Sequence, residues 1–141
     1  MSRADPLTYA VVLPTLYAAH TVADHVAQTD HQAAAKATSW RAMAGHVGSY
    51  QLTQAIAVTA VTTLTGVRVG WPQLLAGMAF SGATHALLDR RWPVRWLLRR
   101  TRSPLFAEMT IPLHGVYLAD QALHTGCLLI AAALIATGGS L

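Results

Sequence analysis

A chain of 141 residues with one cysteine has few ways of using it. Cys127 excludes an intramolecular disulfide and a zinc site built from several thiolates. Charge is also scarce. Asp, Glu, Lys and Arg make up 11% of the residues, against roughly 25% in soluble domains. A soluble helical bundle needs polar outer faces, and so few charged side chains supply them poorly. A glycine-rich phosphate loop, a Gly-x-Ser-x-Gly elbow and a His-Glu-x-x-His helix are all missing. No low-complexity tract interrupts the chain, and its length suits one domain over residues 1–141.

What remains is apolar, at 53% of the residues, and arranged in runs. Residues 6–23, 42–67, 69–88 and 121–141 carry no Asp, Glu, Lys or Arg, giving uncharged lengths of 18, 26, 20 and 21. A helix needs about 20 residues to cross a bilayer core. The expected fold is therefore all-α: a four-transmembrane-helix bundle, with helices near 7–29, 39–64, 72–88 and 113–137. Pro14 is placed to kink the first, Pro72 to open the third, and Gly138-Gly139 to close the last. The leader carries little net charge and the first run continues into His20 and Asp24, so it is expected to be a retained helix rather than a cleaved signal.

Basic residues cluster between the third and fourth helices, at Arg90, Arg91, Arg95, Arg99, Arg100 and Arg102, interleaved with Trp92, Trp96, Leu97 and Leu98. This reads as a short amphipathic interfacial segment, with no nucleic-acid partner. Loops after the first and third helices hold eight of the ten Lys and Arg residues, and Arg3 and Arg68 face the other side. The positive-inside rule then places the chain in the cytoplasmic membrane with both termini outside the cytoplasm. Trp40, Trp71, Trp92 and Trp96 fall at expected helix ends, as interfacial aromatics do. The expected partners are the lipid bilayer and anionic lipid headgroups, contacted by Arg90, Arg91, Arg95, Arg99 and Arg100. The oligomeric state stays open.

The polar residues inside the runs repeat one spacing: His20-x-x-x-Asp24, His85-x-x-x-Asp89 and, reversed, Asp120-x-x-x-His124. Residues four apart share a helix face. With helices alternating in direction, these pairs and His46 fall at similar depth in the cytoplasmic half. Burying aspartates in apolar surroundings is costly unless they are paired. The pattern therefore predicts one cluster of His20, Asp24, His85, Asp89, Asp120 and His124, with His46 at its edge. Histidine and carboxylate ligate a divalent metal, zinc foremost, with manganese or iron as alternatives. Seven donors exceed the four of a tetrahedral ion. Either two ions share them, or some aspartates orient metal-bound histidines. A metal-free structural network and a proton or ion pathway also fit. Gln28 and Gln121 are expected to hydrogen-bond the ligands.

These residues give the chain a resemblance to the bacterial and phage family of small integral membrane proteins called domain of unknown function 3307. The matching pattern is His20/Asp24/Gln28 in the first helix, His46 in the second, His85/Asp89 ending the third, and Asp120-Gln121-x-x-His124 in the last. His25 departs from it, standing where the family commonly has an aromatic. The resemblance spans nearly the whole chain and implies a membrane fold without naming a reaction. A looser likeness is to membrane-bound metal-dependent hydrolases, although their Pro-Asp-x-Asp signature is missing. On that likeness the expected function is a metal-dependent hydrolase acting at the cytoplasmic side, with Asp24 or Asp89 as catalytic proton acceptor. The alternative is a non-enzymatic membrane module held together by the same residues.

Overall fold

The computed structural model describes residues 3–101 and 103–137. Every regular element among them is helical. Helix α1 (Pro6–Val22) starts where the Asp5 carboxylate accepts from the Thr8 amide at 2.7 Å, with Pro6 in its first turn. Pro14 lies within it and does not end it. At Ala23 the winding loosens into a π turn, Ala23–Ala27, and the Gln28 side-chain amide donates to the Asp24 carbonyl. Such turns concentrate at functional sites, and this one carries the buried Asp24.

The stretch after it, read from sequence as a polar connection, contains helix α2 (Asp30–Ala35). A capping box nucleates it: the Thr29 hydroxyl accepts from the Gln32 amide at 3.2 Å, and Gln32 Oε1 accepts from the Thr29 amide at 2.9 Å. Ser39 caps α3 (Trp40–Thr65), which stops at Gly66, whose φ of 72° a side chain would resist. Pro72 lies in the first turn of α4 (Trp71–Leu88). The arginine-rich stretch forms α5 (Trp92–Arg100), and the segment leading to the last helix holds a further short helix, α6 (Pro104–Glu108). Helix α7 runs over Gly115–Ala136. Arg102 and Gly138-Gly139 lie outside the described residues.

The expectation of four transmembrane helices does not hold. Among the described residues only α7 is long and apolar enough to cross a membrane. Helix α1 has 17 α-helical residues before the π turn, about 25 Å at 1.5 Å per residue, against a hydrocarbon core of about 30 Å. In α3 the residues His46, Gln51, Gln54 and five threonines dilute the apolar content. In α4, Pro72, Gln73 and His85 do the same. Freedom from formal charge is a weaker criterion than apolarity, and these polar residues separate the two.

Helices α1 and α7 pack together, as do α4 and α7, and α3 lies against both α1 and α4. Thus α1 and α4 face each other diagonally across the bundle. An apolar cluster of Val12, Leu16, Val58, Leu128, Ala131, Ala132 and Ile135 fills one region of the bundle. A smaller cluster of Leu88, Val94, Leu98 and Ala107 joins α4, α5 and α6. Helices α4 and α7 approach closely at Gly77, where an added Cβ would lie 2.4 Å from Ile135 Cγ1 and 2.8 Å from the Ala131 carbonyl oxygen. Gly77→Ala is therefore expected to destabilise by about 1–3 kcal/mol, despite alanine's better helix propensity. Gly126→Ala, with open space around its Cβ, should not. Thermal melts of the two variants check this.

Candidate metal centre

Four elements deliver the polar cluster. The π turn after α1 brings Asp24, α3 brings His46, the end of α4 brings His85 and Asp89, and α7 brings Asp120 and His124. All six are buried. His46 lies at the centre rather than at the edge. Its Nε2 is 2.9 Å from His85 Nε2, 3.0 Å from Asp89 Oδ2 and 3.2 Å from Asp24 Oδ1. His85 Nε2 is in turn 3.2 Å from Asp89 Oδ2. The ligand atoms of Asp24, His46, His85 and Asp89 all lie within 4.8 Å of one another, and so do those of a second group, Asp89, Asp120 and His124. Asp89 belongs to both.

Ring nitrogens reveal which atoms are free. His124 Nδ1 lies 2.9 Å from the Asp120 carbonyl oxygen. A carbonyl only accepts, so Nδ1 carries the proton and Nε2 holds the lone pair. That Nε2 is buried, lacks a hydrogen-bond partner and is 4.0 Å from Asp89 Oδ1. This is the way a metal-ligating histidine is commonly oriented. The Nδ1 atoms of His46 and His85 have no such partner. Their rings are held by packing instead, with Tyr50 stacked on His85 at 3.7 Å between centroids. Tyr50 is fixed by a ring of hydrogen bonds. Gln54 Nε2 donates to the Tyr50 oxygen at 2.8 Å, and Ser81 Oγ donates to Gln54 Oε1 at 2.9 Å. The tyrosine hydroxyl then donates to Ser81 Oγ at 3.0 Å.

His20 is part of the cluster but of neither four-atom nor three-atom group. Its ring stacks on His124 at 5.0 Å, and its Nε2 is 3.4 Å from Gln121 Oε1. Gln121 Nε2 donates to Asp24 Oδ2 at 3.1 Å, so the amide ties His20 to Asp24. Gln28 bonds the Asp24 backbone rather than a ligand side chain.

One member was missed altogether. The Lys36 ammonium is 2.7 Å from Asp24 Oδ1, 3.0 Å from Asp89 Oδ2 and 3.1 Å from His46 Nε2. Lys36 directly follows α2, so the Thr29-x-x-Gln32 capping signature was the available signal. Burial pushes both carboxyls up, but the close approach of His46 to both, with Lys36 beside Asp24 and His85 beside Asp89, outweighs it. Both acids are held well below the ordinary carboxylate range. Two carboxylates against one ammonium leave the pocket electron-rich. Asp89 Oδ2 lies within 3.0–3.2 Å of three nitrogens yet forms no well-angled hydrogen bond with any. Donors crowded this way suit a central cation better than a hydrogen-bond lattice.

The cluster opens into a cleft of about 440 Å³, whose walls include Asp24, Lys36, Asp89 and Asp120 with Arg91 and Arg95. Asp120, whose Oδ1 is buried and without a hydrogen-bond partner, is one of these lining residues. Arg91 sits at φ 62°, the only non-glycine residue with positive φ among the described residues, a backbone state costing about 1–3 kcal/mol. The other arginines turn elsewhere. Arg90 lies over Trp40 at 4.3 Å, Arg99 pairs with Glu108 at 2.9 Å, and Arg100 lies 5.9 Å from the Trp96 ring centre.

Fold and cluster together define an all-helical protein with buried histidine–aspartate groups that could hold a metal ion. The chain belongs to the family described as "Protein of unknown function (DUF3307)", whose model matches residues 12–140. No curated protein and no solved structure matches it.

Proposed function

We propose that this protein is a membrane-associated, metal-dependent hydrolase whose reaction centre is the cluster around Asp89. The observation that carries the reading is the sharing of that carboxylate between two ligand groups, its Oδ2 turned to His46 and His85 and its Oδ1 toward His124. Asp24, His46, His85 and Asp89 would hold one divalent ion, and Asp89, Asp120 and His124 a second. Zinc suits this mixed imidazole–carboxylate set, and manganese or iron are the alternatives. Such an ion, when bound, lowers the pKa of water and polarises the oxygen it contacts. The chain's own residues do the rest. Asp24 is engaged through both oxygens, by Lys36 and by Gln121. Asp120 lines the cleft and its Oδ1 has no hydrogen-bond partner, so Asp120 is the carboxylate assigned to accept a proton.

The bilayer is proposed as the partner covering the apolar exterior. Leu52, Ile56, Leu64, Leu75, Leu129 and Ile130 are all exposed, as are Trp40, Trp71, Trp92 and Trp96. Large apolar side chains exposed on three helices call for a covering partner, and among the described residues α7 is long and apolar enough to anchor the chain. Carbonate-resistant sedimentation with membranes is the expected behaviour, and release as a soluble protein would remove the bilayer from the proposal.

A second reading rests on Lys36, whose ammonium already neutralises part of the pocket. In it the cluster is a structural ion-pair network of a non-enzymatic module. Metal analysis of purified protein separates the two. Wild type should carry tightly bound divalent metal, His85→Ala should lose most of it, and His20→Ala, outside both ligand groups, should retain it. Wild-type protein without stoichiometric metal after growth in zinc and manganese would leave only the second reading.

A further inference from the structure

We infer that the cleft above the cluster binds the phosphate group of a phosphate monoester, gripped by Arg91 and Arg95. The inference names a substrate class for the proposed metal centre, and in that respect rests on that reading. Arg91 stands at the N-cap of α5, the Arg95 amide donates to its carbonyl at 3.0 Å, and both residues line the cleft that Asp24, Asp89 and Asp120 also line. They differ from their neighbours. Arg90, Arg99 and Arg100 each have an internal partner in Trp40, Glu108 and Trp96. The guanidinium groups of Arg91 and Arg95 have no hydrogen-bond or ion-pair partner among the described residues, and of the five arginines in residues 90–100 these two are the ones that line the cleft. The left-handed backbone of Arg91 points the same way, since strained residues of this kind concentrate at ligand sites.

The chemistry narrows the ligand. A guanidinium presents a planar fork of donors that matches phosphate oxygens two at a time. Two such forks supply two positive charges, which a dianionic phosphate monoester balances and a single carboxylate does not. The group would then lie between the arginines and the carboxylate-lined metal pocket. Hydrolysis there joins the water oxygen to phosphorus and breaks the phosphorus–oxygen ester bond. One water proton ends on the departing alcohol oxygen, after acceptance by Asp120. The products are an alcohol and inorganic phosphate. The alcohol can belong to a lipid or to a soluble molecule, and the phosphate site is the same in both.

Binding, rather than turnover, tests this. Detergent-solubilised full-length protein is titrated calorimetrically with inorganic phosphate and with dihexanoyl phosphatidic acid below its micelle concentration. Wild type should bind at least one probe saturably. The variant carrying Arg91→Gln and Arg95→Gln should bind at least tenfold more weakly, as should Arg95→Gln alone to a lesser degree, with thermal melts confirming the fold. Arg99→Gln, whose partner is Glu108, should change affinity less than twofold. Tighter binding of the lipid probe would identify a lipid phosphate, and equal binding a soluble one. No binding by wild type, unchanged binding in both arginine variants, or equal loss in Arg99→Gln would overturn the inference. Repeating the titration on His85→Ala keeps the two readings apart. Arginine-dependent binding that persists there, with wild type itself found free of metal, removes the metal centre and keeps the phosphate site. Metal without arginine-dependent binding does the reverse.

Discussion

Asp89→Asn is expected to empty both halves of the cluster at once. Its carboxylate is the member common to the two ligand groups, and an amide is a poor ligand that keeps the shape while removing the charge. Metal content should fall from two ions per chain toward none, with affinity lower by on the order of 100-fold or more, given that even outlying partners of ligands contribute 10–100-fold. Asp24→Asn removes a ligand from one group only and should leave one ion. Stability should follow. Lys36 and Asp89 form a buried ion pair at 3.0 Å, and deleting one partner of such a pair costs about 3–5 kcal/mol. Elemental analysis and thermal melts of the two variants together check the shared carboxylate. Equal metal loss in both would mean that the donors form a single site and that Asp89 does not bridge.

The spacing of His20/Asp24, His85/Asp89 and Asp120/His124 was legible because a four-residue step fixes a helix face whatever surrounds it. What spacing cannot convey is which helices are neighbours. Helix α1 faces α4 across the bundle, so His20 ended behind Gln121 while His46, from α3, took the central place beside His85. Lys36 escaped notice for a different reason. A lysine in a short polar stretch ordinarily lies in water, and only the capping box that winds Asp30–Ala35 turns it inward. The transmembrane count failed because uncharged length is not apolarity. Threonine, glutamine and histidine carry no formal charge at neutral pH, yet they lower the apolarity of α3 and α4. The pairing of Arg99 with Glu108 likewise depends on α6, a helix of five residues, too short for periodicity to reveal.

Lys36→Met should move metal affinity and stability in opposite directions if the cluster is a metal site. The lysine ammonium contacts the same Asp24 Oδ1, Asp89 Oδ2 and His46 Nε2 atoms that would ligate an ion. Two unit positive charges about 3 Å apart repel by about 5 kcal/mol at an effective dielectric constant of about 20, and a divalent ion doubles that. Lysine and metal therefore compete for one pocket, and the ammonium must swing out when an ion enters. Methionine keeps much of the apolar stem without the charge. The variant should bind divalent metal at least tenfold more tightly than wild type. In chelator it should be less stable by about 3–5 kcal/mol, because two buried carboxylates then lack their cation. Added metal should restore that loss. The structural-network reading predicts a different outcome, a destabilised variant that no divalent ion rescues, since the ammonium would be the only cation the pocket was built to hold. Thermal melts of Lys36→Met with chelator and with zinc therefore separate the two readings through stability alone, without knowledge of the substrate.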